Sequence, residues 1–114
     1  MLRINARNVG EVTVLDLNGT LVVGLGLETL RSRMEQLVAA QRLKIVLNLS
    51  GVAVLDSSGV GDLVGSFSLV KKAGGVLKVA SPTKIVREVL RIARLPAIIE
   101  IYDTEEAALS SFAP

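Results

Sequence analysis

Cysteine, histidine and tryptophan are all missing from this chain, and its aromatic residues are only Phe67, Tyr102 and Phe112. Each absence removes a class of chemistry. Without cysteine there is no disulfide framework, no thiolate nucleophile and no sulfur ligand for a metal. Without histidine the commonest general base and metal ligand are gone. So few aromatic rings cannot build a platform on which nucleic-acid bases stack, and the formal net charge of +2 is too small to indicate nucleic acid by itself. Long apolar runs are lacking too. The longest near-apolar stretch, Leu21 to Leu27, is far short of the ~18–20 residues that span a bilayer. The first ten residues, MLRINARNVG, have no apolar segment of the signal-peptide kind.

What is present is apolar and patterned. Of 114 residues, 50% are hydrophobic, enough to fill one core but not two, so a single domain over residues 1–114 is expected, soluble and cytoplasmic. Arg3–Arg7 and Val12–Leu17 alternate on either side of a turn at Asn8-Val9-Gly10, which predicts a hairpin ending at Asn18-Gly19. Leu27, Leu30, Met34, Leu37 and Val38 recur at helical spacing and predict a helix over 27–40. The β-branched run Lys44–Leu49 predicts a strand buried on both faces, followed by a linking segment, Ser50–Leu55. A second helix follows, with Val60, Leu63, Val64, Phe67 and Val70 facing inward and Gly74-Gly75 stopping it. Val76–Ala80 is the next strand. Ser81-Pro82 is expected to cap a third helix with Ile85, Val86, Val89, Leu90 and Ala93 inward. Ala97–Ile101 predicts a last strand, and Asp103–Glu106 a capping box for a short fourth helix. The expected architecture is α/β, a mixed and mostly parallel sheet with an antiparallel N-terminal edge strand and about four helices.

The segment with most chemical content is Val54-Leu55-Asp56-Ser57-Ser58-Gly59-Val60-Gly61, at a strand-to-helix junction. Asp or Ser at a helix start caps free N–H groups, worth about 0.5–2 kcal/mol, but a cap explains neither the second serine nor the glycines that follow. Gly59, Gly61 and Gly65 approach a dinucleotide fingerprint, yet there is no acidic residue between Leu63 and Arg87 to hold a ribose. A serine hydrolase would need a base, and no histidine exists to take the proton. Ser68–Lys71 matches S-x-x-K without its companion motifs. An intrinsic enzyme is therefore not expected. A modified serine remains open, because a helix N-terminus accommodates a phosphate. Ser58, Gly61, Gly65, Ser68 and Lys72 form a stripe of mostly small residues, which either packs on the chain's own sheet or lets a partner's backbone approach.

Ile45–Leu49, the motif from Val54 to Gly61, Gly74-Gly75 and Ser81-Pro82 together resemble the STAS domain of bacterial anti-sigma-factor antagonists, in an element order covering about residues 3–112. The resemblance implies a regulatory protein that, unphosphorylated, binds an anti-sigma factor that is also a serine kinase, and so frees a sigma factor. It implies Ser57 as the phosphate acceptor, Asp56 as the acid that helps present it, and Ser58 as a non-acceptor that could cap. Asp56, Ser57, Ser58, Gly59, Gly61, Gly65 and Ser68 would contact the partner. A PP2C-type phosphatase would reset the serine, ATP and Mg²⁺ would belong to the kinase, and this chain would need no cofactor. It would be a monomer or weak homodimer, with no direct nucleic-acid or membrane contact. STAS domains also serve as scaffolds or as subunits of stressosome-like or lipid-transport assemblies, and a small-ligand or nucleotide binder is a third possibility. One departure from the family pattern is the apolar loop Val22–Gly26, where an acid would be expected after Gly19-Thr20-Leu21. Lys84, Arg87, Arg91 and Arg94 form a basic stripe, either a solvated face or one for an acidic partner.

Overall fold

The computed structural model describes residues 2–22 and 25–112, with the backbone alone for 25–29. Strands β1 (Leu2–Val9) and β2 (Val12–Leu21) form an antiparallel hairpin. The turn is Gly10-Glu11, at the C-terminal end of the expected Asn8-Val9-Gly10, whose first two residues belong to β1, and Gly10 takes the positive φ of 60° that a two-residue turn requires. The remaining order is α1 (Leu25–Ala39), β3 (Lys44–Leu55), α2 (Ser57–Lys72), β4 (Val76–Ala80), α3 (Lys84–Ile92), β5 (Ile101–Tyr102) and α4 (Glu105–Ser110). The five strands lie in sequence order, and every pair after β1–β2 is parallel. This is the sheet expected from the sequence, with four helices among the described residues.

Strand alternation sorts the side chains to two faces. Leu15, Leu17, Leu47, Leu49, Leu77 and Val79 share one core with Leu30 and Met34 of α1, Leu63 and Val70 of α2, and Val86 and Leu90 of α3. Sequential parallel strands joined by crossovers of one hand place all three helices on this face. On the other face, Val14, Val46 and Ala80 pack against Ala108 of α4.

Several expectations are corrected. Ser50–Leu55 is strand rather than linker: Val52, Val54 and Leu55 pair with Gly19, Thr20 and Leu21. Register shifts at Asp16/Asn18 and Gly19/Thr20 break the two-residue alternation, which hides the strand from a periodicity reading. Ala97–Ile101 is mostly not strand. Pro96 lies inside a 3₁₀ turn, Leu95–Ala97, and the N–H groups of Ile98 and Ile99 both bond back to the Leu95 carbonyl, so that only Ile101 and Tyr102 reach the sheet. The cap of α3 is Thr83, whose hydroxyl accepts from the Val86 N–H at 3.2 Å, and Pro82 precedes it. α1 begins at Leu25, so Leu25 and Gly26 of the apolar loop belong to its first turn, while Val23 and Gly24 lie outside the described residues.

Charged groups fasten α4 to the back of the sheet. Arg7 of β1 is bidentate to Asp16 of β2, at 2.6 and 2.9 Å, and also pairs with Glu105 at the start of α4. Asn48 of β3 donates to the same Glu105 at 2.9 Å. At the far end the nearly buried Lys78 donates to Ser111 Oγ at 2.7 Å and sits 4.5 Å from the centre of the Phe112 ring. The hydrogen bond from Arg7 holds the Glu105 carboxyl below the usual glutamate range, with Asn48 adding to it. A depressed folded value means stability that is fully present above the unfolded pKa and lost as pH falls through the folded one. The Glu105→Gln variant is therefore expected to lose less thermal stability than the wild type between pH 7 and pH 3, measured by melting followed with circular dichroism.

Candidate functional site

β3 ends at Leu55 and α2 begins at Ser57, so the whole motif lies at one end of the sheet. Asp56 is the N-cap: it has extended backbone, and its Oδ1 accepts the Gly59 N–H at 2.9 Å. The capping role suggested for Ser58 therefore belongs to Asp56, whose carboxylate has the reach from the extended position that Ser58, already inside the helix, does not. Both serine side chains are exposed, but they point different ways. Ser57 lines a groove of about 330 Å³ with Val60 of α2 and Val89, Ile92 and Ala93 beyond it on α3. Ser58 is seven residues from Gly65, hence on the same helical face two turns earlier, and that face lies toward Arg31 of α1.

The glycines also divide. A Cβ on Gly59 would sit 2.1 Å from the Leu21 carbonyl oxygen and 2.6 Å from Leu55 Cδ1, so this glycine lets α2 meet the end of β2. Gly61 is exposed, and a Cβ there would meet nothing within 4 Å. A Cβ on Gly65 would approach Arg31 Nη2 at 2.9 Å. Ser68 lies with Gly65 along the groove toward α1. The proposed contact residues thus share the outward arc of α2, Ser57 bordering the groove toward α3 and Gly65 and Ser68 the groove toward α1, with Gly59 inside.

The inward face of α2 differs from its apolar pattern. Gly59, Asp62, Leu63, Ser66 and Val70 are buried, while Val60, Val64 and Phe67 are only half-buried. Among the described residues, Asp62 Oδ2 and Ser66 Oγ are buried without a hydrogen-bond partner. Asp62 Oδ1 reaches Arg31 Nη2 at 3.5 Å. Burial pushes the Asp62 carboxyl above the usual aspartate range, and Arg31 opposes this in part. No signal in the sequence marks these two positions, because a polar residue between apolar ones reads as exposed.

α3 is turned in the same sense. Val86 and Leu90 are buried, whereas Ile85 and Ile92, at 69% and 72% exposure, face solvent, and Ala93 is exposed. Ile85 and Ala93 were expected inside; Val86 and Leu90 fill the core side of the helix, with Val89 half-buried beside them. Val54, at the end of β3, is also 48% exposed. Two of the four cations of the basic stripe are paired, Arg87 with Asp103 at 2.8 Å and Arg91 with Glu88. Arg94 has left the helix, with a positive φ of 59°.

A family model described as STAS domain matches residues 3–108. The chain belongs to the STAS-domain family. Among relatives of this STAS domain, the anti-sigma F factor antagonist of Paenibacillus polymyxa is 31% identical over 84 residues, which is 73% of this chain and 72% of that protein. A Thermotoga neapolitana relative is 41% identical over 66 residues, but the match spans only 58% of that protein's length, and 58% of this chain. In structure, the Bacillus cell-fate determinant SpoIIAA in its phosphorylated form superposes with a TM-score of 0.73 over 97% of this STAS domain and 100% of its own chain, at 23% identity. That likeness establishes the fold. Among the described residues, no helix of the STAS domain is long and apolar enough to cross a membrane.

Proposed function

We propose that this STAS domain is an anti-sigma-factor antagonist, a regulatory binding protein whose unphosphorylated form holds an anti-sigma factor and thereby frees a sigma factor. Ser57 is the switch. The observation that carries this reading is the position of its exposed hydroxyl on the rim of a groove lined otherwise by Val60, Val89, Ile92 and Ala93. Such a surface suits an apolar side chain of the partner. Phosphorylation would add about −1.5 to −2 charges at that rim. Among the described residues no cation lines the groove to pair with the new charge, and a partner seated there would have to desolvate it. The complex then falls apart without any change of fold.

The partner in this reading is an anti-sigma factor with serine-kinase activity, which supplies ATP and Mg²⁺, and a PP2C-type phosphatase restores the hydroxyl. Gly61 supports the same face as a contact. A helical glycine costs about 1 kcal/mol relative to alanine, and nothing in the fold needs that space. Incubation with the cognate kinase and ATP is expected to add one phosphate per chain, absent from Ser57→Ala and retained in Ser58→Ala, read by intact-mass spectrometry. Phosphate found on Ser58 alone would overturn the assignment.

A further inference from the structure

The groove on the other side of α2 has a different chemistry. It lies between α1 and α2, is lined by Arg31, Gly65, Ser68, Leu69 and Lys72, and encloses about 220 Å³. Two of these residues are cations. Among the described residues Lys72 has no ion-pair partner and the Ser68 hydroxyl has no hydrogen-bond partner. Arg31 is half-exposed, and among the described residues its one carboxylate contact, Nη2 to Asp62 Oδ1, is long at 3.5 Å, beyond hydrogen-bond length for an N–H donor. Gly65 leaves room for the guanidinium, since a Cβ there would come within 2.9 Å of Nη2. Asp62 meanwhile is nine-tenths buried with its second oxygen unpartnered.

We propose that this groove binds a small oxyanion, held by Arg31 and Lys72 with the Ser68 hydroxyl as a third donor, Arg31 exchanging its long contact with Asp62 for the bound anion. Arginine forms short paired hydrogen bonds to carboxylate and phosphate oxygens, and the groove offers it a better-solvated partner than Asp62 does. The site is separate from the Ser57 groove and does not depend on the function proposed for it, because one groove borders α1 and the other α3 and they share no lining residue.

The decisive feature is competition with Asp62. Titration of the full chain with inorganic phosphate, followed by amide chemical shifts, is expected to move Gly65, Ser68 and Leu69 saturably, against sodium chloride at equal ionic strength as control. Arg31→Ala should weaken binding by about tenfold, the worth of a charge-assisted hydrogen bond, and Lys72→Ala should weaken it as well. Asp62→Asn should tighten binding, because it removes the carboxylate that competes for Arg31. A merely electropositive surface would not respond to Asp62 in a saturable, groove-specific way. A parallel titration with glutamate separates the sources: saturation by glutamate in preference to phosphate keeps the oxyanion site and assigns it to a carboxylate group. Non-saturating shifts equal to those with chloride, or an Asp62→Asn protein that binds no tighter than wild type, overturn the proposal.

Discussion

Replacing Gly59 by alanine is expected to destabilise the domain by about 3 kcal/mol or more, the upper range for forcing atoms into a packed interior. The added methyl would lie 2.1 Å from the Leu21 carbonyl oxygen, a backbone atom at the end of β2, and 2.6 Å from Leu55 Cδ1. Leucine can rotate away; the carbonyl cannot move without disturbing the strand end. Leu21 and Leu55 are themselves buried and paired across β2 and β3, so the displaced atoms have no room behind them. For a domain of this size the loss corresponds to a fall in Tm of roughly 10 °C or more. Gly61→Ala is the control. It occupies open space in an exposed helix interior, so it should raise stability by up to about 1 kcal/mol. If Gly59→Ala melts with the wild type, the close approach of α2 to β2 is wrong. Two glycines separated by one residue are thus expected to respond with opposite sign.

The second large effect concerns binding. Ile92→Asp is expected to weaken the complex with the cognate anti-sigma factor by at least about 30-fold, the measure of an interface hot spot worth 2 kcal/mol. Ile92 is 72% exposed and lies beside Ser57 in the groove, so its substitution leaves the core untouched and Tm within a degree or two. Its carboxylate would also imitate, on the opposite wall, the charge that the proposed phosphorylation would bring to Ser57. Calorimetric titration of wild type, Ile92→Asp and Ser57→Asp separates the possibilities. Loss in both variants supports a groove entered by an apolar side chain. Loss in Ser57→Asp alone confines the contact to the start of α2. Wild-type affinity in both removes the groove from the interface.

Much of this fold is legible in the sequence because long periodic segments carry their own signal. Lys44–Leu49 reads as a buried strand from its β-branched run, and Gly74-Gly75 marks the end of α2. Where the reading failed, a local pattern had yielded to tertiary geometry. The shifted register beside Gly51 destroyed the alternation that would have shown β3 continuing to Leu55, and Gly51 itself carries no side chain to report a face, since a Cβ there would meet Asn18 Oδ1 at 2.0 Å. Ile98 and Ile99 favour a strand by composition, yet the turn set by Pro96 takes their N–H groups first. The rotation of α2 and α3 about their axes was not legible either. Counting apolar residues chooses the most hydrophobic face, whereas α2 turns Asp62 and Ser66 inward and α3 leaves Ile85 and Ile92 outside. The position of the serines could be read; what each serine faces could not, since that depends on which helices flank α2.

Helical rotation gives the paired serines a further meaning. One step along α2 turns the side chain by ~100° and advances it only ~1.5 Å. Ser57 thereby borders an apolar wall while Ser58 belongs to the side with Arg31. Neighbouring residues in sequence thus have different addresses in space. In the proposed function, a kinase seated on the α3 side would meet the Ser57 hydroxyl at its groove, where Ser58 is not a lining residue. In an unfolded peptide the same two hydroxyls would be nearly equivalent. Selectivity between them is therefore a property of the folded helix, and it disappears when α2 melts.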